Sequence, residues 1–409
     1  MKQLKKIIIL VTFILSISIP SFGESPNISS GAAIVMEEST GKVIFNKNAY
    51  EIMYPASTTK IMTAILAIEK CDLSDMVEAS SYAVDSIPNG YTTADIQVGE
   101  ILSVENLLYA LMLRSANEAA TILAEHIAGS EQNFAKMMND KALEIGCKNT
   151  NFVNGNGIHN DNHVSTAYDL ALIAKYAMQN DTFKQIVSTT SYTLPATNKY
   201  NTNDRILYNT NGLIMPNNNE NSNYSYYYPY ATGIKTGFTT PAKNCLVASS
   251  SKNGINLISV VLYSDVTDDG ISQRYVDTIN LFNYVFDNYA FSKVLEKYSI
   301  VKSIGIGSNL ENLNLLLEND IISFVNTKEE SLIENEQIQL KENLNIPIYA
   351  GEIVGKVTYT IDGIDYTQNL IADKDIGTEF NPHLFFILIG LLLLIISVKL
   401  FLFRPEEKF

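Results

Sequence analysis

The chain has 409 residues, 46% of them hydrophobic, which is enough for more than one folded core. Its formal charge of -15 argues against nucleic acid as a partner, because a polyanion is repelled by it. The acidic side chains are scattered rather than blocked, so they read as a solvated surface.

Residues 1–23 have the form of an export signal, cleaved after Gly23. Lys2, Lys5 and Lys6 make a basic start, an apolar stretch follows, and Ser21 and Gly23 are small residues where a signal peptidase reads. Ala32–Glu37 is predicted as a strand, and residues 43–46 as its return across the turn Ser39-Thr40-Gly41-Lys42. Pro55 then leads into a helix beginning near Ser57, in which Ile61, Ala64, Ile65 and Ile68 recur at helical spacing. Helices are expected at 104–113, 118–127, 131–145 and 166–178. The Asn/Tyr-rich stretch 201–230, with Tyr226-Tyr227-Tyr228, reads as a surface loop. A strand at 233–240, a hairpin through Lys252-Asn253-Gly254 and an amphipathic helix at 273–289 close the region. This order predicts an α/β domain at 24–292, with an antiparallel sheet flanked by helices and a helical subdomain.

Beyond Leu295 short alternating runs predict a small all-β domain at 293–378, without a visible catalytic constellation. Residues 384–403 are almost wholly apolar and, at about 1.5 Å per residue, would span roughly 30 Å as a helix. Lys399 lies near one end, Arg404 and Lys408 follow, and Asp373, Asp375 and Glu379 precede. A C-terminal transmembrane anchor is therefore expected, with the protein body outside the cell membrane.

Cys71, Cys147 and Cys245 make a poor disulfide framework and are read as small apolar side chains, with one bridge left open. Among the four histidines, His159 and His163 are four apart in loop-like sequence, and no third ligand has convincing spacing. Neither a metal nor a cofactor is expected.

Chemistry concentrates in three short motifs in fixed order: Ser57-Thr58-Thr59-Lys60, Ser115-Ala116-Asn117 and Lys235-Thr236-Gly237. Each alone has an ordinary reading, as a helix cap, a polar break between helices or an edge-strand charge. Together they supply a nucleophile, a base and an anion clamp. Ser57 at a helix start gains from the N-terminal dipole, and a serine hydroxyl needs a base. Lys60, three residues on, shares its helix face. To accept a proton Lys60 must be neutral, which burial and a nearby cation such as Lys235 would achieve. Gly237 keeps a strand edge open for close approach.

With these motifs the chain resembles the low-molecular-mass penicillin-binding proteins that act as serine D-alanyl-D-alanine carboxypeptidases. The resemblance covers about residues 28–375. It is carried by residues 55–64, by Ser115-Ala116-Asn117-Glu118-Ala119-Ala120, by Phe152-Val153-Asn154, by residues 165–170 and by Gly233-Ile234-Lys235-Thr236-Gly237-Phe238-Thr239. It implies a β-lactamase/transpeptidase-like catalytic domain, a β domain and a membrane anchor. The implied reaction removes the terminal D-alanine from peptidoglycan stem peptides through an acyl-Ser57 intermediate, which β-lactams trap. The implied roles are a proton relay for Ser115 and a hold on the peptide carbonyl for Asn117. Lys235, Thr236 and Thr239 would bind the carboxylate, and the backbone N–H groups of Ser57 and Phe238 would form an oxyanion hole. Two departures stand out: Gly155-Asn156-Gly157-Ile158 where members often have a Pro-His-Gly-Leu type loop, and Phe238 where some have His. A serine β-lactamase, a D,D-endopeptidase or transpeptidase, and a non-catalytic penicillin sensor are the rival readings.

Overall fold

The computed structural model describes residues 25–216, 225–306, 311–342, 344–377 and 382–402. The expected export signal at 1–23 lies outside them. The chain forms two compact units: residues up to Ala290 with Asn326–Glu329, and Phe291–Val325 with Glu330 onward.

The first unit is built on a five-stranded antiparallel sheet. Its strands are β1 (Ala32–Glu37), β2 (Val43–Lys47), β3 (Ala231–Thr239), β4 (Lys243–Lys252) and β5 (Ile255–Ser264), in the order β2-β1-β5-β4-β3. Consecutive residues Ile34, Val35 and Met36 are all fully buried. Neighbours along a strand point to opposite faces, so both faces of the sheet are covered. This explains why β1 reads as an unbroken apolar run rather than an alternating one.

The helices α1 (Lys60–Lys70), α2 (Val104–Tyr109), α3 (Asn117–Ala128), α4 (Glu131–Ile145), α5 (Ala167–Ala177) and α6 (Gln273–Asn288) supply the cover. α5 packs on β1 and β5, and α6 on β4 and β5. Their ends follow local chemistry. The Ser130 hydroxyl caps α4 by accepting the Asn133 N–H at 3.2 Å, and Thr166 caps α5 by accepting from Asp169 at 3.0 Å. Gly129 and Gly146 take the left-handed conformation that ends α3 and α4. One core joins Leu66, Leu107, Leu111, Leu123 and Phe134 of this helical layer to the sheet. Each such side chain contributes about 1.5–3 kcal/mol on burial.

Two expectations need adjustment here. The helix expected at 104–113 is α-helical only through Tyr109 and finishes as a π-turn, Ala110–Arg114. In the Asn/Tyr-rich stretch Ile206–Tyr208 pairs with Ser191–Thr193, and Tyr228 is buried against Phe282 with its hydroxyl donating to Asn283 at 2.8 Å. Tyrosine-rich polar sequence conceals packed rings, because a tyrosine hides its body and keeps only a polar tip.

The second unit contains a five-stranded antiparallel sheet of β6 (Ile300–Ile306), β7 (Glu311–Leu317), β8 (Ile333–Leu340), β9 (Ile353–Ile361) and β10 (Ile364–Ala372), ordered β6-β7-β10-β9-β8. Leu313, Leu315 and Leu317 alternate into a separate core with Val354, Val357, Ile361 and Leu370.

The transmembrane helix expected at 384–403 is corrected. A helix forms there, α7 (Pro382–Leu402), with side chains described from Phe385 to Lys399. Among the described residues no helix is long and apolar enough to cross a membrane.

Candidate active site

The nucleophile motif sits on a tight turn rather than inside a helix. Ala56–Thr59 is a 3-10 turn running directly into α1, and Ala56 holds a positive φ of 49°. The Thr58 N–H and hydroxyl both donate to the Pro55 carbonyl, at 3.2 and 2.7 Å. Thr59 is fully buried, with its hydroxyl 2.8 Å from Nε2 of buried His163. His163 Nδ1 accepts the Val153 N–H at 3.0 Å, so Nε2 carries the proton and donates to Thr59. Burial, helped by Lys60, brings His163 down to about 3. This histidine is thus a neutral strut behind the nucleophile turn.

Two glycines let other segments approach the turn. A Cβ on Gly157, whose φ is +81°, would stand 2.0 Å from the Ala56 carbonyl oxygen. One on Gly237 would meet the Pro55 oxygen and the Ser57 nitrogen at 3.1 Å each. Only glycine allows the first contact, and at Gly237 a side chain would need the turn to give by a few tenths of an ångström.

Lys60 is completely buried. Its Nζ lies 3.1 Å from Ser57 Oγ, 2.8 Å from Asn117 Oδ1 and 2.5 Å from the Asn156 carbonyl oxygen. Burial holds its ammonium far below the ordinary lysine range; Lys235 pushes the same way and Glu118 opposes. A neutral amine has two N–H donors and one lone pair. The two carbonyl oxygens can only accept, so they take the N–H groups. The Ser57 hydroxyl is the partner that can donate to the lone pair.

The second motif closes the π-turn. Ser115 adopts φ 64°, a left-handed conformation that breaks the helix and leaves its side chain lining the cleft. Asn117 opens α3, and both its backbone N–H and its Nδ2 donate to the Thr92 carbonyl, at 3.1 and 2.9 Å. This pair of hydrogen bonds to Thr92 fixes the segment Asn89–Thr92 that walls the cleft. Glu118, also buried, accepts the Ala94 N–H at 2.6 Å through Oε1, and its Oε2 has no hydrogen-bond partner among the described residues. Burial raises its carboxyl above the usual range.

The third motif lies on β3, the edge strand beside the nucleophile turn. Lys235 is buried, with Nζ donating to the Thr236 carbonyl at 3.1 Å. Burial first, then the Arg274 guanidinium, bring it down to about 7. The Thr236 hydroxyl is 2.7 Å from that of Thr210. Arg274 of α6 donates to the Gly237 carbonyl at 3.3 Å. Phe238 is 60% exposed at the rim, and the Thr239 hydroxyl accepts the Ala242 N–H at 3.2 Å.

Ser57, Ser115, Asn117, Thr236, Gly237, Phe238 and Thr239 thus line one cleft of about 450 Å³, with Lys60 and Lys235 buried beneath it. Sequence reasoning missed Arg274, Thr210, Thr92, and the Asn156 carbonyl that holds Lys60. Asn156 was visible only as part of an unusual loop, and Arg274 carries no motif at all. The three cysteines are free in the structure.

The cleft lies between an antiparallel sheet edge and a helical layer, with a buried lysine against a serine at a helix entrance; this defines a serine acyl-transfer enzyme of the penicillin-binding, transpeptidase-like class. The family model for D-alanyl-D-alanine carboxypeptidase matches residues 21–266, and that for the C-terminal domain of penicillin-binding protein 5 matches residues 289–378. D-alanyl-D-alanine carboxypeptidase DacF of Bacillus subtilis is 31% identical over 351 residues, covering 84% of this chain and 85% of its own. The crystal structure of penicillin binding protein 5 from Haemophilus influenzae covers 86% of this chain and 98% of its own, at 27% identity and a TM-score of 0.62. A mutant of the Streptomyces K15 DD-transpeptidase covers 64% of this chain and 99% of its own, at 31% identity and a TM-score of 0.57. The chain belongs to the D-alanyl-D-alanine carboxypeptidase family. It is a peptidase, and its family acts on D-Ala-D-Ala stem peptides of the cell wall, outside the cytoplasm, and binds β-lactams.

Proposed function

We propose that Ser57 Oγ attacks the carbonyl of the penultimate D-alanine while neutral Lys60 takes its proton. A tetrahedral oxyanion forms, its charge held by the backbone N–H groups of Ser57 and Phe238, which typically contribute about 10²–10³ in rate per donor. Ser115 passes the proton to the leaving amine, and D-alanine departs. Water then attacks the Ser57 ester and releases the shortened stem peptide, with Lys60 again accepting the proton. Asn117 holds the peptide carbonyl. Lys235, Thr236 and Thr239 hold the terminal carboxylate at the β3 edge, which Gly237 lets lie close against the nucleophile turn. Arg274 keeps positive charge beneath the same strand.

The observation that carries this reading is the buried Lys60 Nζ, 3.1 Å from Ser57 Oγ, with two carbonyl acceptors occupying its other directions. The basic and apolar residues of 1–23 support export as the route to the wall. The test is mass spectrometry of penicillin-treated protein beside a D-alanine release assay on a D-Ala-D-Ala peptide. One penicilloyl adduct on Ser57 is expected, and Ser57→Ala is expected to lose both adduct and D-alanine release. An adduct elsewhere, or release persisting in Ser57→Ala, would refute the assignment. D-alanine leaves in either case, so crosslinked product in place of the shortened free peptide would move the reaction to a transpeptidase.

A further inference from the structure

The two helices that open in the active site end together at a cluster the reaction does not use. α1 begins with Lys60 and ends at Lys70, with Cys71 as its C-terminal cap. α3 begins with Asn117 and carries His126 in its last turn. Asp75 belongs to the tight turn after Cys71: its N–H donates to the Asp72 carbonyl at 3.0 Å, and its Oδ2 accepts the Asp72 N–H at 3.1 Å. Cys71 Sγ, an Asp75 carboxylate oxygen and a His126 ring nitrogen all lie within 4.8 Å of one another. Asp75 Oδ2 and His126 Nε2 are 4.0 Å apart.

We propose that Cys71, Asp75 and His126 form a zinc site, with water in the fourth position. Thiolate, imidazole and carboxylate are the donor set that selects zinc over magnesium or calcium, which take oxygen ligands. The local field favours a cation, because both helices direct their negative C-terminal ends here and the Asp72 carboxylate is adjacent. Exposed Lys70 is the opposing charge in this segment. Zinc bonds of about 2.0–2.3 Å set tetrahedral ligand atoms roughly 3.3–3.7 Å apart, so the cluster closes by ~1 Å on binding. The side chains can make that move: Asp75 and His126 both reach solvent, and Cys71 is half-buried and unbridged. The Asp72 N–H orients the Asp75 carboxylate, as an outer-shell donor should.

On binding, the Cys71 S–H bond breaks, the S–Zn bond forms and the proton leaves to water, so affinity falls as pH falls. The metal joins the far ends of α1 and α3, which pack on each other and whose first residues are Lys60 and Asn117. It is a structural clamp on the far ends of that helix pair, remote from the reacting atoms.

The test uses the full chain, stripped with chelator and titrated with zinc chloride. One zinc per chain is expected by calorimetry, tighter at about pH 8 than at about pH 6. Zinc should slow maleimide alkylation about tenfold, a readout specific to Cys71 because Cys147 and Cys245 are buried. It should also raise the thermal midpoint of the natural chain and not that of Cys71→Ser or His126→Ala. Penicillin acylation of those variants at the natural rate confirms that they fold. Absence of stoichiometric binding, zinc affinity in both variants equal to that of the natural chain, or alkylation unaffected by zinc would overturn the site.

Discussion

The state of two buried lysines governs the pH behaviour of this site. Lys60 acts as the neutral amine, so its activity appears as pH rises through its depressed pKa. Glu118 opposes that depression, being a carboxylate near an ammonium. Glu118→Gln keeps the acceptor for the Ala94 N–H but removes the charge, which lowers the Lys60 pKa further. The acid limb of kcat/KM is therefore expected to move to lower pH in this variant, as measured by penicillin acylation across a pH series. A uniform loss of rate without a shift would mean that Glu118 only supports the 92–96 segment. Lys235 must instead be cationic to hold a carboxylate, and it stands at about 7 in the free cleft. kcat/KM for the peptide is thus expected to fall as pH rises through about 7. Arg274→Gln removes a neighbouring positive charge, raises the Lys235 pKa and carries that limb to higher pH. The same profile, read by D-alanine release, checks both signs.

Among the elements, the nucleophile turn depends on what its neighbours leave out. Gly157 presses on the Ala56 carbonyl, a contact that no side chain survives, and Gly237 lies against the Ser57 nitrogen, where a side chain would need the turn to give by a few tenths of an ångström. Gly157→Ala has both a forbidden contact and a left-handed φ to overcome, and displacement of the turn by even ~1 Å costs about 10² in rate. Penicillin acylation of Gly157→Ala is expected to fall by that order, while the fold, held by the core of α1, α3 and α4, persists by circular dichroism. Natural acylation in this variant would mean that the turn is free to shift. The π-turn of Ala110–Arg114 serves the second motif in a similar way, since a regular helix through Ser115 would carry its hydroxyl away from the cleft.

At the scale of the whole molecule, the described residues hold one core around the first sheet and another around Leu313, Leu315 and Val357. Each buries its own apolar surface, so calorimetry is expected to show two transitions. Penicillin should raise only the midpoint of the unit that contains Ser57; a single transition raised as one would refute separate cooperativity.

Much of the site was readable in sequence because its parts are local. Ser57 and Lys60 are three residues apart where a tight turn enters α1, and Lys235, Thr236 and Gly237 are contiguous on one strand. The two-part organisation was also readable, since helical and alternating periodicities change beyond Leu295. The C-terminal apolar run was read as a membrane span, whereas among the described residues no helix is long and apolar enough to cross a membrane. What composition and spacing could not reach were partners brought in from far along the chain: the Asn156 carbonyl on Lys60, Arg274 beneath β3, and His126 beside Cys71. Periodicity fixes which way a side chain faces within its own element, so the residue types and the reaction class followed from the sequence. Whether Lys60 loses its charge depended on burial and on charges from distant segments, and those exist only once tertiary packing has excluded water and set the elements side by side.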